Sequence, residues 1–248
     1  MAIIGIILAA PIIAVAVGYI YMSGMFKRGN ASKYSVAQTA ALDSSPISGK
    51  TIYFLGSSVT KGFAAMNESF VDYIRKRNSC TCVKNAVSGT TLLDNGSLSY
   101  IQRMYKFNKT AKVDAFVCQL STNDARLNKA GKLSASTNRA YFDTATTTGA
   151  IEFIISYARE SWGCPVVFYT NTYYENENYR ALVGRLLEIK NKWNIGVIDL
   201  YNDGEMNSIS KEEYNLYMND PVHPVRAGYK LWWTPVFEKC LYNLLGQE

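Results

Sequence analysis

Five short apolar runs rich in β-branched and aromatic residues recur between residues 51 and 201, and they limit the folds open to this chain more than any other feature. They are TIYFLG (51–56), TCVKNAV (81–87), VDAFVCQLS (113–121), PVVFYTN (165–171) and GVIDLY (196–201). Helix-patterned stretches separate them. Residues 69–76 put Phe70, Tyr73 and Ile74 on one face, and 148–159 do the same with Ile151, Ile154, Ile155 and Ala158. A third helix is expected over 179–193 and a closing one over 227–245, with an irregularity at Pro235. Near-continuous apolar strands alternating with helices predict an α/β fold with a five-stranded parallel sheet covered on both faces. Ligands of such sheets bind beyond the carboxyl ends of the strands. The polar loops GSSVT, SGTT and STND follow the first three strands at that edge.

The chain of 248 residues is long enough for one large domain plus an appendage. Its 48% apolar and 19% charged content excludes disordered and fibrous classes. The net charge of +6 is spread without a basic tract, so no nucleic-acid partner is expected. Cysteines stand at 80, 82, 118, 164 and 240; no C-x-x-C pair and a single histidine, His223, make a zinc site unexpected. They read as structural thiols, with Cys80 and Cys82 on one face if their segment is a strand. No metal or cofactor is expected.

Residues 3–21 carry no charged side chain and are mostly Ile, Val and Ala, which suits a membrane-spanning helix. No basic side chain precedes the run, which favours an uncleaved anchor over the two alternatives, a cleaved signal and a buried helix. The reading is a membrane anchor over 1–26, a Ser-, Ala- and Asn-rich linker over 27–49, ordered only in part, and a catalytic body over 50–248. Lys27, Arg28 and Lys33 follow the apolar run and lean towards a cytoplasmic body, but the bias is small and the side stays open.

The first polar loop, Gly56-Ser57-Ser58-Val59-Thr60, presents serines at a strand-to-helix turn. A serine hydroxyl needs a base to act as a nucleophile, and His223 is the sole imidazole. It lies in Asp220-Pro221-Val222-His223-Pro224, where the carboxylate three residues earlier is placed to orient the ring. A phosphate-binding P-loop is excluded, because Lys61 precedes Gly62 rather than following it.

These segments resemble the four blocks of the SGNH or GDSL hydrolases: FLGSSVTKG the first, NAVSG the second, LSTND the third and DPVHP the last, in the family's order and spacing across residues 51–226. The resemblance implies a three-layer α/β/α sandwich with a flavodoxin-like sheet, and hydrolysis of acyl esters. Position by position it implies Ser58 as nucleophile, His223 as base and Asp220 as its orienting partner. It also implies an oxyanion hole from the Ser58 and Gly89 amides and the Asn123 side chain.

Two departures stand out: Ser57 replaces the aspartate of G-D-S, and Ser121 replaces a glycine two residues before Asn123. Ser57 is thereby a rival nucleophile. Asp124 and Asp199 read as loop-stabilising groups. Tyr169, Tyr173, Tyr174 and Tyr179 either stack on a sugar ring or cover the sheet edge, and Lys61 either meets an anionic substrate or is solvated. The expected activity is a membrane-anchored esterase acting on a small-molecule, glycan or lipid ester, possible acetyl groups on a glycan included. An acyltransferase with the same triad and a non-catalytic membrane-tethered module are the alternatives. Oligomeric state is not legible.

Overall fold

The computed structural model describes residues 24–246. Strands β1 (Thr51–Gly56), β2 (Thr81–Ala86), β3 (Ala115–Gln119), β4 (Val166–Tyr169) and β5 (Gly196–Ile198) form one parallel sheet in the order β2-β1-β3-β4-β5. That is the flavodoxin-like order, with its switch point between β1 and β3. The three central strands are buried almost throughout, whereas edge strand β2 alternates exposed and half-buried positions. Edge position explains why TCVKNA tolerates Lys84 in a strand.

The helices are α1 (Ser58–Lys61), α2 (Phe70–Asn78), α3 (Tyr100–Met104), α4 (Thr147–Trp162), α5 (Glu177–Trp193), α6 (Gly204–Asn207), α7 (Lys211–Tyr217) and α8 (Thr234–Leu245). Helices α2 and α8 cover one face of the sheet, through Phe70, Ile74, Phe237 and Leu241 on Ile52, Phe54 and Val117. Helices α3, α4 and α5 cover the other, through Ile101, Ile151, Ile155 and Leu186 on Tyr53, Leu55 and Phe168. The result is a three-layer α/β/α sandwich. Phe70 and Phe237 stack at 3.9 Å between α2 and α8. The irregularity expected at Pro235 takes the form of a π-helical turn, Gly228–Trp233, directly before α8. Proline at the first turn of α8 has no N–H to lose there.

The predicted anchor lies, for its apolar part, outside the described residues. Among the described residues no helix is long and apolar enough to cross a membrane. The predicted linker, 27–49, is laid against the body. Three 3-10 turns, Arg28–Asn30, Ser32–Tyr34 and Val36–Gln38, follow one another. Asn30 donates to Gly24 O at 2.7 Å and Ala64 O at 2.8 Å. Val36 N reaches Glu68 at 3.0 Å, Tyr73 donates to Tyr34 O at 2.8 Å, and Ile47 is fully buried. Small polar residues suggest flexibility by composition, but the same side chains bond backbone groups and so fix turns. All five cysteines are free thiols, and Cys80 and Cys82 lie on one side with their sulfurs 3.6 Å apart.

Candidate active site

Chain leaving β1 turns at Gly56 into α1. A Cβ at residue 56 would lie 1.6 Å from Thr60 Oγ1, so only glycine lets the turn close. Ser57 stands at the N-cap position of α1 without a side-chain capping bond, and Ser58 is the first residue of the helix. The two serines face different ways. Ser57 is fully buried, and both its N–H, at 2.8 Å, and its hydroxyl, at 3.3 Å, meet Gln119 Oε1. Thr60 Oγ1 donates to the same oxygen at 2.8 Å, and lies 2.6 Å from the Tyr169 hydroxyl. Gln119 at the end of β3 thus locks the turn to the sheet. Burial and this bonding set Ser57 aside as a rival nucleophile.

Ser58 Oγ lies 2.8 Å from His223 Nε2, across 165 residues of sequence. His223 Nδ1 lies 2.9 Å from each Asp220 oxygen. Asp220 Oδ1 also accepts the N–H groups of Val222 at 2.9 Å and His223 at 3.0 Å, which closes the loop into a tight turn. Asn219 N bonds His223 O at 2.9 Å across the same turn. Burial works against the Asp220 charge. The bond from His223, its charge and the two backbone N–H groups outweigh burial and hold the carboxyl below the usual carboxylate range. An ionised Asp220 puts the ring proton on Nδ1 and leaves Nε2 to accept from Ser58.

Gly89 sits at the exposed tip of the loop after β2, with φ of +78° and nothing within 4 Å of a Cβ position. The left-handed backbone, not lack of space, is what calls for glycine there. Asn123, after β3, donates one N–H of its side chain to Thr90 O at 2.9 Å. Ser121, in the place of the expected glycine, is fully buried; its hydroxyl donates to Thr90 O at 3.2 Å and accepts from Asn123 N at 3.1 Å. The departure at 121 therefore ties the second loop to the third. Since β2, β1 and β3 are adjacent, Gly89, Ser58 and Asn123 follow three neighbouring strands at one edge.

Asp124 is structural. Its carboxylate accepts from Leu92 N at 2.8 Å, Leu93 N at 3.2 Å and Thr147 Oγ1 at 3.1 Å, while burial raises its pKa against the pull of those bonds. Asp124→Ala will strand two backbone donors and lower stability by about 2–4 kcal/mol. Urea denaturation measures this, and an unchanged midpoint would contradict the role. Asp199 bonds Thr170 Oγ1 at 3.1 Å and the Asn202 side chain at 2.7 Å, a strand-end brace.

One residue carried no signal in the sequence. Arg103, on α3, is 1% exposed, and no carboxylate bonds it among the described residues. Its five N–H groups reach Leu98 O at 2.9 Å, Asn85 O at 2.8 Å, Asn85 Oδ1 at 3.0 Å, Gly56 O at 2.8 Å and Thr90 Oγ1 at 3.0 Å. It ties the end of β1, next to the serines, to the loop that carries Gly89. An arginine in the stretch Tyr100–Met104 reads by itself as a solvated helix residue.

The tyrosines divide. Tyr169 and Tyr179 are fully buried, which removes them as sugar-stacking rings. Tyr173 is 49% exposed and packs 5.2 Å from Tyr201.

No family model matches the chain, and no curated protein matches it in sequence. Solved structures do. A member of the lipolytic G-D-S-L family from Veillonella parvula superposes with a TM-score of 0.57 at 16% identity, over 78% of this chain and 97% of its own. The lipase/acylhydrolase from Enterococcus faecalis gives 0.54 at 19%, over 80% and 99%. An acetyl xylan esterase gives 0.58 at 12%, over 77% and 99%. At these identities the likeness is one of fold: the chain has the fold of the GDSL hydrolases.

Proposed function

We propose that this chain is an SGNH/GDSL-type serine esterase that removes ester-linked acyl groups through an acyl-enzyme on Ser58. The observation that carries this reading is the unbroken run of bonds from Ser58 Oγ through His223 to Asp220. Ser58 Oγ attacks the acyl carbonyl as its proton passes to His223 Nε2. Asp220 holds the ring and stabilises the imidazolium. The Ser58 and Gly89 amides and the remaining N–H of the Asn123 side chain take the negative charge of the tetrahedral oxygen, a donor each worth about 3–4 kcal/mol when so aimed. His223 then returns the proton to the leaving alcohol. Water, activated in turn by His223, frees the acid.

Acyl groups on small molecules, lipids or glycans, acetyl included, are the substrate class. The apolar run 3–21 anchors the enzyme in a membrane. The test is a fluorophosphonate probe on the folded full chain, with hydrolysis of a small chromogenic acetyl ester. Labelling at Ser58 with ester turnover is expected. No labelling and no turnover would reject the reading.

The depressed Asp220 pKa sets a pH dependence. A carboxyl held below its unfolded value contributes stability that is full above about pH 4 and is lost as pH falls through the lower folded value. Denaturant melts from neutral to strongly acidic pH are expected to show this acid-side loss in the wild type and to lack it in Asp220→Asn. Equal acid sensitivity in both proteins would contradict it.

A further inference from the structure

The chain that follows the apolar run is fastened beside the loop that carries Asp220 and His223. A Cβ on Gly24 would lie 2.8 Å from Ala64 O and 3.0 Å from Asn219 Oδ1. Ala64 lies six residues after Ser58, and Asn219 immediately precedes Asp220. Asn30 reinforces the junction: its side chain bonds Gly24 O at 2.7 Å and Ala64 O at 2.8 Å, and accepts from Arg226 N at 3.0 Å. A Cβ on Gly29 would clash with Leu216 O at 2.0 Å, so this turn too lies flat on the segment leading into the catalytic loop.

The apolar run ends at Tyr21, and three residues span at most about 10 Å. The bonds from Asn219 to Asp220 (3.3 Å), Asp220 to His223 (2.9 Å) and His223 to Ser58 (2.8 Å) keep the nucleophile within a few side chains of Gly24.

The surface at this junction is apolar and exposed. Phe26 is 85% exposed, Met25 44% and Met66 41%. Lone exposed apolar side chains are ordinary, but three beside the exit of a membrane-type segment are not. Lys27 is half-buried and Lys33 exposed, and both follow the run. Arg28 lines a hollow shared with Glu212 and Glu213 and is left out of the face.

We propose that this face, with Met25, Phe26 and Met66 at its centre and Lys27 and Lys33 beside it, rests on an anionic lipid bilayer and holds the mouth of the active site against that surface. The inference rests on the anchored-esterase reading above. It adds that the enzyme meets esters presented at the bilayer rather than in bulk water. A short connection and an apolar, basic contact face act together: the connection limits distance, and the face sets orientation.

The test uses the full chain reconstituted in vesicles of phosphatidylcholine and phosphatidylglycerol, with brominated acyl chains as quencher. Tryptophan is introduced by Met66→Trp on the proposed face, and by Tyr141→Trp, 72% exposed, on the opposite helical layer. Fluorescence of the unsubstituted chain is subtracted. The increment from Met66→Trp is expected to be quenched, and that from Tyr141→Trp to be unaffected. A second Met66→Trp variant carries Phe26→Glu, Lys27→Glu and Lys33→Glu. It also has about 20 Gly/Ser residues inserted between Ser23 and Gly24, a root-mean-square reach of about 25 Å. Its quenching is expected to disappear while hydrolysis of a soluble acetyl ester continues.

Equal quenching at the two positions, no quenching at either, or quenching that survives in the extended variant would overturn the docking face. Failure of the wild type on the soluble ester would instead reject the esterase reading, so the two failures are distinct.

Discussion

Replacing Ser58 with alanine will lower kcat for ester hydrolysis by about 10⁴–10⁶-fold, equivalent to about 5–8 kcal/mol of barrier. His223→Ala will cost about as much, and the double variant will lose little more. The reason is geometric. Ser58 Oγ and His223 Nε2 are 2.8 Å apart, so in the proposed mechanism the two side chains act as one nucleophile-base unit, and removing either removes the unit. The residual rate comes from the oxyanion donors, which neither change touches. Ser58 is buried and His223 half-buried, and each substitution removes few hydrogen bonds, so both variants are expected to melt within about 1–2 kcal/mol of the wild type. Steady-state kinetics on variants shown to be folded by circular dichroism measure the effect. Full activity in either one would remove the triad.

Arg103→Met will have the second largest effect, and a double one. The guanidinium gives all five of its N–H groups to groups of the chain and none to a carboxylate. Burial lowers its pKa, and these bonds, with the face of the Tyr100 ring 5.0 Å from the guanidinium, offset the cost of keeping the charge. Methionine fills much of the volume but takes the donor from Asn85 O and Leu98 O and leaves Gly56 O only the long bond from Val87 N at 3.3 Å, a loss of about 3–5 kcal/mol in stability. A released Gly89 loop also misplaces the proposed oxyanion donor, and a shift of about 1 Å is expected to lower kcat on the order of 10²-fold. Arg103→Lys keeps the charge with three donors from one point, too few to span Gly56, Asn85 and Thr90 together. It is expected to regain part of the stability and little of kcat. Chemical melts with separate kcat and KM values, taken where every variant is fully folded, separate positioning from mere support. A normal kcat in folded Arg103→Met would confine the residue to support.

How much of this was legible beforehand follows from what each feature depends on. All five strands are where the apolar runs stand, and helices α2, α4 and α5 begin within about two residues of their expected starts, because periodicity is a local signal. The four blocks gave Ser58, Gly89, Asn123, Asp220 and His223 as candidates, and their chemistry comes from residue type and order. One reading turned on composition and went differently. The segment 27–49 looked like a loose linker, yet Asn30, Val36 and Ile47 bind it to the body, since contacts with Ala64 and Glu68 lie some thirty residues away. For Tyr169 and Tyr179 residue type leaves sugar stacking and packing on the sheet edge both open, and only the fold removes the first, since their hydroxyls meet Thr60 and Leu120 inside.

By itself the amino-acid order determined the layer architecture, the edge where the candidate site forms and the side chains on which the proposed acyl chemistry rests, because hydrophobic spacing and functional groups are properties of short segments. Only folding decided which of two adjacent serines faces the imidazole, that Arg103 braces the loops, and that the chain leaving the apolar run arrives beside Asn219. Each of these depends on groups far apart in sequence meeting within a few ångströms. No local pattern encodes such a meeting, since it is fixed by how the whole sheet and its helices pack.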